Sequence, residues 1–412
     1  MRLLIISQYF WPETFIINEL AHLLKDRQVE VTVLTGKPNY PGGKIFDGYN
    51  AWGVEREDFG GVEVVRLPIA PRGANSRLRL AVNYASFVIA ASVLGPFLLR
   101  GRAFDAVFVY GTSPLIKALA GIGLARLKKA PLLVWVQDLW PESLSATGYV
   151  NNRPLLALVG LLARIIYRCA DVVLIQSPAF RERVADYCKR PEKIVYYPNL
   201  YLAPQAAEPS ASAVLLAERL RGRFSVVFAG NIGVAQDPEV IIEAARRLQS
   251  DPDISLVLVG SGSRDKWVAE RAAQLGLENL VLAGRFAPTD MEHIYAAASA
   301  LLVILAPHPV FALTVPSKIQ AYLAAGRPIV GALDGEAART IAEAEAGICV
   351  AAGHPDELAE AIRKLRAMSP SEREAMGVRG RNYFLQHFEP DKLANDLIAH
   401  LRRAIKSKEN AT

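Results

Sequence analysis

Pro316-Ser317-Lys318-Ile319-Gln320-Ala321-Tyr322-Leu323-Ala324-Ala325-Gly326-Arg327-Pro328-Ile329 contains a helix start, a helix of small residues, a stop and the entry to a strand. Proline suits the first helical turn, where its missing N–H is not needed. Glycine suits the position just past the end, where the backbone turns left-handed. The free amides of such a helix start, with Lys318 beside them, suit a phosphate. An ordinary helix–turn–strand unit with a solvated lysine fits the same residues.

Outward from this unit the same alternation recurs. Short, continuously apolar runs at 3–7, 31–35, 62–67, 106–110, 132–137 and 172–177 are each bounded by Gly, Pro, Asn or Asp. Unbroken apolarity marks strands covered on both faces, and strands separated by helical stretches predict a doubly wound, parallel α/β sheet. The pattern breaks at Tyr197-Pro198-Asn199 and through the Ala-, Pro- and Ser-rich 203–213. It restarts at 224–229, 255–259, 280–283, 300–304, 329–332 and 348–350. Two Rossmann-like domains follow, 1–198 and 199–388, with a linker at about 198–216 and a cleft at the carboxyl ends of the two sheets. The last helix, 389–406, reads as an amphipathic strap.

The 412 residues are 51% apolar and 21% charged, which suits a globular chain with two cores. The net charge of +6 favours anionic partners, but no long basic block or zinc spacing supports nucleic acid. Cys169, Cys188 and Cys349 are widely spaced, which points to a reducing cytoplasm and a core role for each. The apolar start at 3–6 is too short for a signal peptide and reads as a first strand. Residues 80–99 carry no charge and are flanked by Arg77, Arg79, Arg100 and Arg102. The length matches a bilayer span, yet Asn83, Tyr84, Ser86, Ser92, Gly95 and Pro96 interrupt it. A buried helix with an exposed apolar edge toward a membrane surface, arginines meeting anionic headgroups, fits better. A plain core helix fits too.

Candidate chemistry falls at strand ends. Gly230, Asn231 and Gly233 follow one strand, and Gly260 and Gly262 the next. These glycines let backbone approach a ligand, although neither loop matches the dinucleotide fingerprint. Arg285 can pair with a diphosphate through its planar fork and, with Lys318, neutralise a leaving pyrophosphate without metal, while Phe286 can border a base. The alternatives are turn glycines, a surface arginine and a core aromatic. His308, between two prolines, either is structural or faces the ligand. In the first half, Asp138 stands between Trp135 and Trp140, and Trp140 offers a wall for a sugar. Glu13 leaves the first strand. Each carboxylate either acts as a base or caps a helix.

The segments Ser7-Gln8-Tyr9-Phe10-Trp11-Pro12-Glu13, Gln137-Asp138-Leu139-Trp140-Pro141-Glu142, Phe228-Ala229-Gly230-Asn231-Ile232-Gly233 and Pro316-Ser317-Lys318-Ile319-Gln320 occur in this order. Together they resemble glycosyltransferase family four, of GT-B fold. More narrowly, the chain is similar to bacterial fucosyl- and N-acetylfucosaminyl-transferases of O-antigen and colanic-acid synthesis. The resemblance implies a UDP-sugar held by the second domain at Asn231, Gly233, Gly260, Gly262, Phe286, His308, Pro316 and Ser317, with Gln320 on the ribose. It implies a polyprenyl-diphosphate-linked acceptor on the first domain, near Trp140, Arg77 and Arg79 at the inner membrane face. It implies no metal and no cofactor, with Asp138, Glu13, Lys318 and Arg285 as the catalytic set. The chain departs from the family where two glutamates are usual, at Ala312 and Gln320. It departs also where an arginine and a lysine usually hold the diphosphate, at Asn231 and Gln236, and where a glycine pair becomes Phe15 and Ile16. Retention and inversion of the anomeric centre both remain open. A GT-B nucleotide-sugar 2-epimerase and an inactive sugar-binding subunit are the rival functions.

Overall fold

The computed structural model describes residues 1–73, 76–146, 152–204 and 207–410, apart from the Arg77 side chain. The chain forms two compact units, Met1–Pro198 with Pro390–Thr412, and Asn199–Glu389.

The first unit is built on β1 (Arg2–Ile6), β2 (Glu30–Gly36), β3 (Glu55–Phe59), β4 (Val62–Leu67), β5 (Ala106–Gly111), β6 (Leu132–Val136), β7 (Val172–Ile175) and β8 (Ile194–Tyr196). Their order is β3-β4-β2-β1-β5-β6-β7-β8, parallel except for the antiparallel β3–β4 pair. The central strands are covered on both faces, which is why they read as unbroken apolar runs. The chain order reverses between β1 and β5, and there the carboxyl ends leave a crevice. The helix Pro390–Glu409 packs on this unit. The Tyr197 hydroxyl donates to the Leu393 carbonyl (3.0 Å), and Arg27 donates to Asn395 (3.0 Å).

The second unit contains β9 (Phe224–Asn231), β10 (Ile254–Ser261), β11 (Leu280–Gly284), β12 (Ala300–Ile304), β13 (Ile329–Ala332) and β14 (Gly347–Val350). All pair in parallel in the order β11-β10-β9-β12-β13-β14, with the switch point between β9 and β12. The expected linker is shorter than its composition suggests. Ser210 accepts a hydrogen bond from the Ala213 amide (3.2 Å) and caps a helix at Ala211–Arg221, whose Leu216 and Leu220 enter the core.

Residues 80–99 fall in the Arg77–Leu98 helix, long and apolar enough to cross a membrane by length and composition. It packs against β4 and β2 through one side, with Phe87 and Ala91 buried, while Leu78, Val82, Ile89, Val93 and Phe97 face outward. The exposed apolar edge is as expected, but the helix is not the buried one anticipated, since only 28% of its apolar stretch lies inside the fold. Of the cysteines only Cys188 is buried; Cys169 and Cys349 are partly exposed, though Cys349 packs against the core of the second unit.

Candidate active site

In the second unit the helix Lys318–Ala325 follows β12 and is tied to β9 by Tyr322. The Ala229 amide donates to the Tyr322 hydroxyl (2.8 Å), which in turn reaches the Ala229 carbonyl (3.4 Å). One turn earlier, Lys318 therefore sits over the β9 carboxyl end, at the switch point. Its Nζ lies 3.8 Å from the centre of the Phe228 ring. A Cβ added to Gly230 would lie 3.3 Å from that same Nζ. The residue keeps some exposed surface, but its ammonium is closed off and has no hydrogen-bond partner among the described residues. Burial pushes it down to about 7 from the usual lysine value. An unpaired buried cation beside a helix start is the arrangement an incoming diphosphate would relieve.

The neighbouring loops are held by glycines. Gly260, at φ +135°, lies so close to the Gly230 carbonyl that a Cβ would stand 2.0 Å from its oxygen, and a Cβ on Gly262 would stand 2.2 Å from the Ile232 carbonyl oxygen. Gly260 and Gly262 thus let one loop lie against the other, so packing explains them without a ligand. Asn231 donates to the Gln236 carboxamide (3.2 Å), and Gly233 is fitted against that pair. The two positions where the family usually carries cations form a neutral hydrogen-bonded pair.

Several expected donor residues lie elsewhere or act otherwise. Gln320 is fully buried, and in the carboxamide orientation that satisfies its surroundings the nitrogen donates to the Ser317 (3.0 Å) and Pro316 (3.2 Å) carbonyls, so it braces the first turn instead of meeting a ribose. Phe286 is half-buried, one side packed against the core of the unit. His308 accepts from the Val310 amide through Nδ1 (3.2 Å), capping the short turn Pro309–Ala312. Pro316 is half-buried and Ser317 exposed at the helix start. Arg285 is exposed beyond β11 and carries no ion pair among the described residues. β11 lies two strands from β9, a lateral distance of about 10 Å from the Lys318 position.

In the first unit a cavity of about 1030 Å³ opens at the carboxyl ends of the strands. Asp138, at the exit of β6, accepts from the Ser113 amide (3.0 Å) and hydroxyl (2.8 Å). Trp140 donates through Nε1 to the same hydroxyl (3.0 Å) and, though largely buried, lines the cavity. Lys117 was not singled out by sequence. It is fully buried, donates to the Thr112 hydroxyl (2.6 Å) and is held down to about 7 by desolvation, which Asp138 partly offsets. Its only sequence signal is a single cation inside Leu115-Ile116-Lys117-Ala118-Leu119.

Glu13 is a correction to the catalytic set. One of its oxygens accepts from the Asn39 (2.8 Å) and Tyr40 (2.7 Å) amides and the other from Phe10 (3.2 Å). Burial pushes its carboxyl up to about 7, outweighing those three amides. With both oxygens committed to main chain, it clamps two loops together and is not placed to act as a base. Arg79 is exposed on the outward helix without an ion pair among the described residues, and the Arg77 side chain lies outside the described residues.

Two parallel-sheet, Rossmann-like units, the second with a cation over its switch point, define the class: a GT-B glycosyltransferase. Residues 14–200 match the glycosyl transferase 4-like domain and residues 223–367 the glycosyl transferases group 1 domain, and the chain belongs to glycosyltransferase family four. It is similar to the putative colanic acid biosynthesis glycosyl transferase WcaI of Escherichia coli, at 26% identity over 68% of this chain and 70% of that one. It is also similar to the probable glycosyltransferase WbjE of Pseudomonas aeruginosa, at 24% identity over 72% and 74% of the two chains. Sucrose-phosphate synthase from Thermosynechococcus elongatus shares the fold, with a TM-score of 0.77, 18% identity and coverage of 98% and 99%. Anabaena HepE, crystallised with UDP and glucose, does so with a TM-score of 0.69, 16% identity and coverage of 98% and 99%.

Proposed function

We propose that the protein moves a deoxy- or N-acetylated deoxyhexose, such as N-acetylfucosamine, from a UDP donor to a polyprenyl-diphosphate-linked saccharide. The product is a growing surface polysaccharide of the O-antigen, capsule or exopolysaccharide type, built in the cytoplasm at the inner face of the membrane. The observation that carries this reading is the unpartnered, buried ammonium of Lys318 at Gly230. An acceptor hydroxyl attacks the anomeric carbon, the bond to the β-phosphate oxygen breaks, and UDP leaves with the electron pair. Lys318 neutralises that charge in place of a metal, and Arg285, two strands away, adds a longer-range positive field. Asp138, oriented by Ser113, contacts the reacting hydroxyl. The outward apolar edge of the Arg77–Leu98 helix favours a membrane-borne acceptor over the epimerase alternative. The similarity to a colanic acid transferase supports the same pathway class.

The test is UDP release from a panel of UDP-sugars, with and without membrane extract and in the presence of EDTA. A transferase releases UDP only with both donor and acceptor, and EDTA leaves the rate unchanged. Release of little UDP with interconversion of the donor sugar would identify an epimerase. Donor binding without turnover on any acceptor would identify a sugar-binding subunit.

A further inference from the structure

The first-unit cavity is larger than a sugar requires. Its lining combines the polar side chains of Asp138, Ser113, Thr112 and Arg72 with Leu78 and Leu80 from one helix and Leu155, Leu158 and Leu162 from the helix Arg153–Cys169. Its volume of about 1030 Å³ stands at the top of the range for small-molecule sites. Leu78, Leu155 and Leu158 line it and are also 74%, 44% and 52% exposed, so the apolar wall runs without a break from the interior to the surface. Neither helix contains an acidic residue, and they carry Arg77, Arg79, Arg153, Arg164 and Arg168. Arg72 has no ion pair among the described residues. Its guanidinium lies 5.1 Å from the centre of the Tyr40 ring.

We propose that this cavity seats the first isoprene units of the lipid acceptor, with Arg72 on the diphosphate, the chain passing from an anionic bilayer between the two arginine-bearing helices. The inference rests on the acceptor class proposed above and adds that the lipid itself is recognised, not only its sugar. A headgroup alone needs no leucine wall, and surface docking alone needs no cavity behind the exposed leucines. A guanidinium without a carboxylate partner suits a diphosphate, which it can meet with two parallel bonds. Each methylene withdrawn from water strengthens binding about fourfold, so a few buried isoprene units dominate acceptor affinity.

Two acceptors with the same sugar-diphosphate head, one on an undecaprenyl chain and one on a hexyl chain, separate the possibilities. The undecaprenyl acceptor is expected to have a KM at least about tenfold lower. Leu158→Asn brings the ratio of the two KM values toward one, and Arg72→Met raises KM for both. In parallel, a photoreactive farnesyl diphosphate is expected to label residues 78–84 or 155–162, resisting competition by phosphatidylglycerol vesicles. Equal KM values with labelling elsewhere, or equal competition by the phospholipid, overturn the inference while leaving the transferase intact. Failure of every lipid-linked acceptor, with UDP released to a soluble sugar, overturns the acceptor class. The labelling pattern then decides the cavity by itself.

Discussion

At neutral pH the Lys318 ammonium stands midway between charged and neutral, because burial against Phe228 and Gly230 without a partner brings it down to about 7. A bound diphosphate favours the charged form, so UDP binding takes up a proton wherever the free site is neutral. Between pH 7.0 and 8.5 the protonated fraction of the free site falls from about one half to about 3%, and the apparent Kd for UDP rises about 16-fold, or about 1.6 kcal/mol. The terminal phosphate, ionising near pH 6, adds little over this range. Calorimetry in two buffers of different ionisation enthalpy counts the proton directly, and at pH 8.0 close to one per UDP is expected. Lys318→Arg flattens the pH profile because a guanidinium stays charged, and Lys318→Met weakens binding and flattens it too. The sign for stability is opposite. Between about pH 7 and the unfolded value of 10.5 the unfolded chain holds a proton that the native site lacks, so the unliganded second unit gains stability as pH rises. A wild-type Kd that stays level from pH 7 to 9, or a Lys318→Met protein that keeps the wild-type Kd, refutes the assignment.

Three further outcomes are expected. Glu13→Gln turns a carboxamide N–H toward amide donors in a buried clamp, costing about 2–3 kcal/mol; the first unit's melting temperature falls by about 5–10 °C in calorimetry. Lys117→Met removes the buried cation that interacts with Asp138; it lowers kcat more than acceptor KM while circular dichroism stays native, and equal loss in both parameters argues for a packing role. Gly260→Ala drives a methyl against the Gly230 carbonyl and destabilises the second unit by at least about 2 kcal/mol with loss of UDP affinity, whereas Gly276→Ala, with open space around it, costs about 1 kcal/mol; urea melts compare the two.

The apolar strands were legible because burial on both faces leaves no polar position in them. β3 was not, since Glu55-Arg56-Glu57-Asp58 at a sheet edge shows no apolar pattern; its Glu57 instead holds the buried Arg66 at 2.8 Å. Lys318 was legible from helix punctuation, which fixes where a side chain at the first turn must sit. Gln320 was misplaced because only side-chain orientation separates a residue facing a ligand from one folded back on its own helix start. The strand-end position of Asp138 was legible, but Ser113, which orients it, comes from a loop 25 residues earlier with no distinctive composition. The large cavity was invisible for a related reason. Its walls come from two helices far apart in the chain, each reading alone as ordinary apolar packing.

The charged edge strand has a consequence for how the protein survives at working concentration. A parallel sheet that ended on β4 would offer a bare row of amides and carbonyls to any neighbouring molecule. β3 closes that row with a short antiparallel ribbon of alternating charge, whose exposed Arg56 and Asp58 keep its own outer edge polar. Because Glu57 pairs the buried Arg66 and Glu55 the buried Lys37, the acids that guard the edge also hold the strands behind it, so threonines in their place would bare the edge and leave two buried cations unpaired.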